Sequence, residues 1–200
     1  MHIYLASKSP RRAELLNQIG ISFSVLDPEI DESRRPGEPP WAYVARLARE
    51  KACAGVRKTP GRGRRGALGA DTIVLARGEV LGKPTDRNEA RAHLRKLSGA
   101  SHHVLTAVAL AVADDAQRWP SPDRVPVRIS RSRVWFDRLS DTQIDAYWET
   151  GEPADKAGSY AIQGLAARYI PRLEGSYSGV MGLPVNETCH LLRLAGALDQ

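Results

Sequence analysis

Apolar positions along the chain fall in short blocks that switch between a two-residue and a three-to-four-residue period, which predicts strands and helices in alternation. Ile3, Tyr4 and Leu5 open as a strand. Ser9-Pro10 then supplies an N-cap with proline at the first helical position. Leu15, Leu16 and Ile19 form an apolar stripe, and Gly20 ends the helix. Ser22 to Leu26 reads as a second strand, leading into an acidic, proline-flanked loop with Asp27, Glu29, Asp31 and Glu32. From about Trp41 to Arg57 a helix turns Val44, Leu47 and Ala48 inward.

Ala67 to Leu75 is apolar enough for a strand buried on both faces, interrupted by Asp71. Arg77-Gly78 turns it into a hairpin with Glu79 to Leu81, Gly82-Lys83-Pro84 makes a tight loop, and a helix runs to about Leu97. Strands His103 to Val112 and Val125 to Phe136 flank a surface excursion, Trp119 to Pro126. A helix from Ser140 to Glu149, a segment dense in glycine and charge from Gly151 to Gly164, a strand from Tyr169 to Leu173 and a helix from Leu183 to about Leu194 complete the pattern. The class is α/β, a mixed twisted sheet with flanking helices. Residues 1–200 read as one domain without internal repeat or long linker, and two lobes around a cleft fit it, with no boundary marked in the pattern.

Composition narrows this. At 42% hydrophobic and 26% charged the chain can bury a real interior, which excludes a disordered tail protein. The longest apolar run, Val104 to Ala113, is far shorter than the ~20 residues of a membrane span. The N-terminus lacks the apolar stretch and cleavage site of a secretory leader, so a cytoplasmic protein is expected. Cys53 and Cys189 stand apart on helical patterns and are expected to be reduced, buried thiols. The net charge of +6 favours an anionic partner, either nucleic acid or a phosphorylated small molecule.

One familiar pattern is a decoy. Gly61, Gly63 and Gly66 spell a dinucleotide fingerprint but precede a strand instead of a helix, and no Walker sequence is present. Four other places carry chemistry. In Ser7-Lys8-Ser9-Pro10-Arg11-Arg12, two arginines sit in a helix's first turn, where the macrodipole disfavours cations. Ser7, Ser9, Arg11, Arg12 and the local N–H groups would together cradle a phosphate. Lys51 lies one heptad past Val44, facing inward, either snorkelling or serving a site. Asp71 is a carboxylate in an oily strand, which is costly unless a cation, metal or donor compensates. A salt bridge, for example to Lys83, is one solution. The other is a metal, Mg²⁺ or Mn²⁺, held by Asp71 with Glu32, with Asp71 handling a water proton. Finally, the Gly151 to Gly164 segment reads as a site loop, in which Lys156 would meet phosphate and Gln163 would read a base edge.

Ser7-x-Ser9-Pro10-Arg11-Arg12, Arg49-Glu50-Lys51-Ala52, Ala70-Asp71-Thr72, Gly82-Lys83-Pro84, Ser98-Gly99 through Thr106-Ala107-Val108, the Gly151 to Gly164 segment, and Gly175-Ser176-Tyr177 with Gly182-Leu183-Pro184 together resemble the Maf family of nucleoside triphosphate pyrophosphatases. The resemblance runs from Leu5 to the last helix. It implies an inosine-triphosphatase-like fold, a divalent metal, a homodimer, and hydrolysis of a nucleoside triphosphate to monophosphate and pyrophosphate. Asp71-Thr72 and Gln163 resemble the dTTP/UTP branch. The resemblance implies Asp71 as proton acceptor and Arg11, Thr72 and Gln163 as positions affecting substrate choice. Lys51 and Lys83 join Asp71 as catalytic candidates, screening the phosphates. The alternative from another class is a basic nucleic-acid-binding module without hydrolytic activity, built on the Arg62, Arg64, Arg65 loop. With 6% aromatics and no stacking platform, no stable nucleic-acid partner is expected.

Overall fold

A computed structural model describes residues 1–60, 63–114 and 119–198. Gly61 and Arg62, on which the fingerprint decoy and part of the basic loop fall, lie outside them. Seven strands, β1 (His2–Ala6), β2 (Phe23–Leu26), β3 (Arg65–Ala76), β4 (Glu79–Leu81), β5 (Ser101–Ala113), β6 (Val127–Trp135) and β7 (Arg172–Glu174), form one sheet among the described residues. Its order is β2-β1-β3-β5-β6-β7, with β4 paired to β3. β1 runs parallel to β2 and β3, whereas β4 lies antiparallel to β3 and β7 to β6. The sheet is therefore mixed, as the alternating pattern requires. The helices are α1 (Pro10–Gln18), α2 (Pro40–Arg57), α3 (Arg87–Leu97), α4 (Asp141–Trp148), α5 (Tyr177–Met181) and α6 (Val185–Leu194).

Contacts group the chain into two compact units, one of residues 1–71, 106–130 and 182–200, the other of residues 72–105 and 131–181. In the first, β1 is flanked by β2 and β3, so Ile3, Tyr4, Leu5 and Ala6 are all buried, the continuous apolar pattern of an interior parallel strand. Two glycines bring α2 unusually close to the sheet. A Cβ on Gly69 of β3 would stand 2.3 Å from the Ala48 carbonyl oxygen and 2.4 Å from the Ala52 nitrogen. One on Gly55 would stand 2.6 Å from the Ala6 Cβ. This close approach puts Lys51, between Ala48 and Ala52, beside the strand two residues before Asp71.

The second unit has its own core, including Val74, Leu81, Leu94, Leu97, Phe136, Ile144, Tyr147 and Tyr160. Its helices start on local signals. Asp86 accepts the Glu89 N–H at α3, and Ser140 and Gln143 form a reciprocal capping box at α4. His102 is buried and meets the Tyr160 hydroxyl at 2.8 Å, a core histidine at the start of β5.

Four expectations need correction. Leu165–Tyr169 is a 3-10 helix, and strand structure is confined to Arg172–Glu174, because backbone N–H groups at 165 and 166 bind a distant carboxylate described below. Tyr177–Met181 forms an additional helix, α5, where none was expected, while the expected last helix is α6, which starts at Val185 after Gly182, whose φ is +120°. Ser9 occupies the N-cap position of α1, but its side chain makes no cap hydrogen bond. Cys53 is buried as expected, whereas Cys189 is only half-buried.

Candidate active site

The first unit concentrates buried charge at one place. Lys51 Nζ lies 2.8 Å from Asp71 Oδ1 and 2.8 Å from Glu32 Oε1. The lysine and aspartate side chains are only 7% and 10% exposed, whereas Glu32 is 59% exposed, so the array opens to solvent on the glutamate side. Burial pushes the Asp71 carboxyl above the usual aspartate range, and Glu32 pushes it the same way. The opposing pulls come from Lys51, by charge and hydrogen bond, and from Arg12. A carboxylate held in this balance is a stronger base than an exposed one. Lys51 therefore pairs with Asp71, which answers the choice between snorkelling and inward pairing.

Arg12 completes the cationic side. Ser7 follows β1 directly, and its Oγ accepts both the Ser9 N–H at 3.2 Å and an Arg12 guanidinium N–H at 3.0 Å. Arg12 Nε donates to the Gly182 carbonyl at 2.8 Å. Burial lowers the Arg12 pKa, and Asp71 and, more weakly, Glu32 oppose that. The first turn of α1 contains no acidic residue, so carboxylates from outside the helix supply the compensation that the sequence required. Arg11 is half-buried on the same turn. Ser9 is half-buried at the N-cap, next to the N-terminal N–H groups of α1.

Glu32 sits on a loop bound to α2. The Tyr43 hydroxyl donates to the Glu32 carbonyl at 2.8 Å, and an Arg46 guanidinium N–H to the Ser33 carbonyl at 2.9 Å. Arg46 further pairs with Glu38 at 2.7 Å and Glu50 at 3.0 Å. Of these clamp residues only Glu50 was singled out in the sequence, within Arg49-Glu50-Lys51-Ala52, and the Arg46 and Glu50 spacing is the local sign of their pairing.

The remaining predicted residues belong to the second unit. Thr72 follows Asp71 on β3 and is half-buried. Lys83 is exposed on the turn after β4. The Gly158 N–H donates to the Gly82 carbonyl at 3.0 Å, which ties that turn to the loop carrying Lys156. Lys156 is half-buried and ion-paired with its neighbour Asp155. Gln163 is exposed, third in the turn closed by the Gly164 N–H and the Ala161 carbonyl at 3.1 Å.

Among the described residues no group of three or more His, Cys, Asp or Glu side chains is poised to hold a metal. Two hard carboxylates at one place nevertheless suit Mg²⁺ or Mn²⁺, which are commonly bound through one or two carboxylates with substrate phosphate and water filling the rest. A groove of about 840 Å³ in the same unit, lined by Leu110, Trp119, Leu191 and Leu194 among others, contains none of these residues. Buried charge, not cavity volume, marks the chemistry. No described helix is long and apolar enough to cross a membrane.

Comparison with known proteins adds an independent line. The model of a family described as "Maf-like protein" matches residues 2–195. A "dTTP/UTP pyrophosphatase" of Shewanella sp. (strain MR-7) is 50% identical, over 98% of this chain and 99% of its own. Proteins with the same name from Hahella chejuensis (strain KCTC 2396) and Alkalilimnicola ehrlichii are 48% and 49% identical, over 97% and 96% of this chain and 92% and 91% of theirs.

Proposed function

This chain belongs to the Maf family, and from that premise we propose that it is a nucleoside triphosphate pyrophosphatase hydrolysing dTTP and UTP to the monophosphate and pyrophosphate. The observation that carries the chemistry is Asp71, buried beside Lys51 and Arg12 and made more basic by that burial. In the reaction, a water oxygen attacks the α-phosphorus while the bond from that phosphorus to the bridging oxygen breaks. Pyrophosphate leaves with the electron pair. Asp71 orients the water and accepts its proton. Lys51 and Arg12 hold cationic charge where negative charge develops in the transition state. Ser7, Ser9 and Arg11, at the start of α1, bind phosphate oxygens, and Lys83 and Lys156 add cations to the same work.

Glu32 and Asp71 are the residues that would hold a divalent cation, Mg²⁺ or Mn²⁺, which when bound supplies charge neutralisation on the phosphates. Arg11, Thr72 and Gln163 govern substrate choice, a role the family resemblance suggests and the donor-plus-acceptor amide of Gln163 suits. The same resemblance extends the reading to a cytoplasmic homodimer. The alternative of a nucleic-acid module is disfavoured by relatives that carry an enzyme's name over nearly the whole chain.

The test is product analysis. Purified protein with Mg²⁺ should release pyrophosphate and monophosphate from dTTP and UTP, and much more slowly from CTP, ATP and GTP. Asp71→Asn should abolish turnover with circular dichroism unchanged. Release of inorganic phosphate as the primary product, or full activity in Asp71→Asn, would overturn the mechanism.

A further inference from the structure

The turn that presents Gln163 is held from both sides by one pair of side chains. Tyr147 on α4 is 1% exposed, and its hydroxyl donates to Glu152 Oε1 at 2.5 Å while accepting the Ala161 N–H at 3.2 Å. Glu152 Oε2 accepts the Leu165 N–H at 2.9 Å, and its Oε1 the Ala166 N–H at 3.4 Å. Ala161 precedes Gln163 by two residues; Leu165 and Ala166 follow it. The carboxylate reaches these N–H groups because residue 164 is glycine: a Cβ there would stand 2.1 Å from Glu152 Oε2. Glu152 itself is placed by Gly151, whose φ of +75° turns the chain sharply off the end of α4. The core thus sends a hydroxyl to the front of the turn and, through it, a charge to the back.

We propose that Tyr147 and Glu152 are positioning residues for Gln163, fixing the turn so that its amide meets the pyrimidine base in one orientation. This rests on the reading of Gln163 as the base-selecting residue. An amide discriminates through the direction of its donor and acceptor, so a platform loose by an ångström forfeits selectivity without losing the fold. Hydrogen bonds to an ionised acceptor are the stronger kind, and three donors converge on this carboxylate. Both side chains are spent on each other and on the backbone of the turn, so their effect should appear in discrimination and not in the chemistry common to all triphosphates.

Three variants of the full chain test this: Tyr147→Phe, which deletes only the hydroxyl; Glu152→Gln, which keeps shape but replaces an acceptor oxygen with a donor; and Gln163→Ala. KM and kcat are measured for dTTP, UTP and CTP, with thermal melting as the control for folding. Each variant is expected to lose about tenfold in the ratio of kcat/KM for UTP over CTP. In Tyr147→Phe and Glu152→Gln the residual CTP hydrolysis and its kcat should change little. Glu152→Gln combined with Gln163→Ala should discriminate no worse than Gln163→Ala alone. If Gln163→Ala loses discrimination while folded Tyr147→Phe and Glu152→Gln keep it, the positioning role is wrong and the Gln163 reading survives. If Gln163→Ala itself keeps full discrimination, the Gln163 reading fails and this proposal with it.

Discussion

Lys51 stands between two carboxylates, and each member of the array depends on the others. Without the ammonium, Asp71 would be a buried carboxylate with a second carboxylate, Glu32, as neighbour and Arg12 opposing. Breaking a buried pair by removing one partner typically costs more than replacing both. Lys51→Met is therefore expected to lower unfolding free energy by about 3 kcal/mol in urea titrations without metal, and Lys51→Met combined with Asp71→Leu to recover most of it. Equal losses in the single and double variants would show that the pair is not coupled. Both residues were legible as oddities, one a lysine on an apolar helix face and the other an acid in an apolar strand. That they pair with each other was not, because the pairing follows from Gly69 admitting the backbone of Ala48 and Ala52, a contact between segments seventeen or more residues apart.

At the scale of elements, the Glu32 loop owes its place to α2. Arg46 donates to Glu38 through two nitrogens, at 2.7 and 2.9 Å, and to the Ser33 carbonyl, while Arg34 donates to the Glu38 carbonyl at 2.9 Å. The Arg46 hydrogen bonds foremost, with the Arg35 backbone N–H at 3.1 Å and the charges of both arginines, hold the Glu38 carboxyl down from its usual 4.5 to about 2. A group whose folded pKa is depressed stabilises fully above its unfolded value and loses that contribution as pH falls through the folded one. The stability gap between the parent chain and Arg46→Met should therefore be constant above about pH 4.5 and close progressively toward pH 2. Acid titration of the urea midpoint measures it; a gap as wide at about pH 3 as at about pH 6 would refute the assignment. The helix was legible from Val44, Leu47 and Ala48, since burial of one face leaves a periodic trace. The loop's attachment was not, nor was the 3-10 helix at Leu165–Tyr169, of which only Tyr169 was read, as the start of a strand. Its apolar and aromatic residues suit either conformation, and Glu152, thirteen residues away from Leu165, decides between them.

Across the whole molecule, the net charge of +6 and the polyanionic substrate make approach and chemistry respond differently to salt. Exposed cations act on a triphosphate still in solvent, and their reach shrinks as the Debye length falls from about 30 Å at 0.01 M to about 8 Å at 0.15 M ionic strength. The Lys51 and Asp71 side chains, 7% and 10% exposed, lie where salt screens little. For dTTP at constant free Mg²⁺, kcat/KM is expected to drop several-fold across that range while kcat at saturation stays within about twofold. A parallel fall in kcat would place the salt-sensitive charge at the reacting phosphate instead of along the approach. Steeply salt-dependent binding of polynucleotide, with kcat/KM flat, would mean that the basic surface serves a different anion from the one that is hydrolysed.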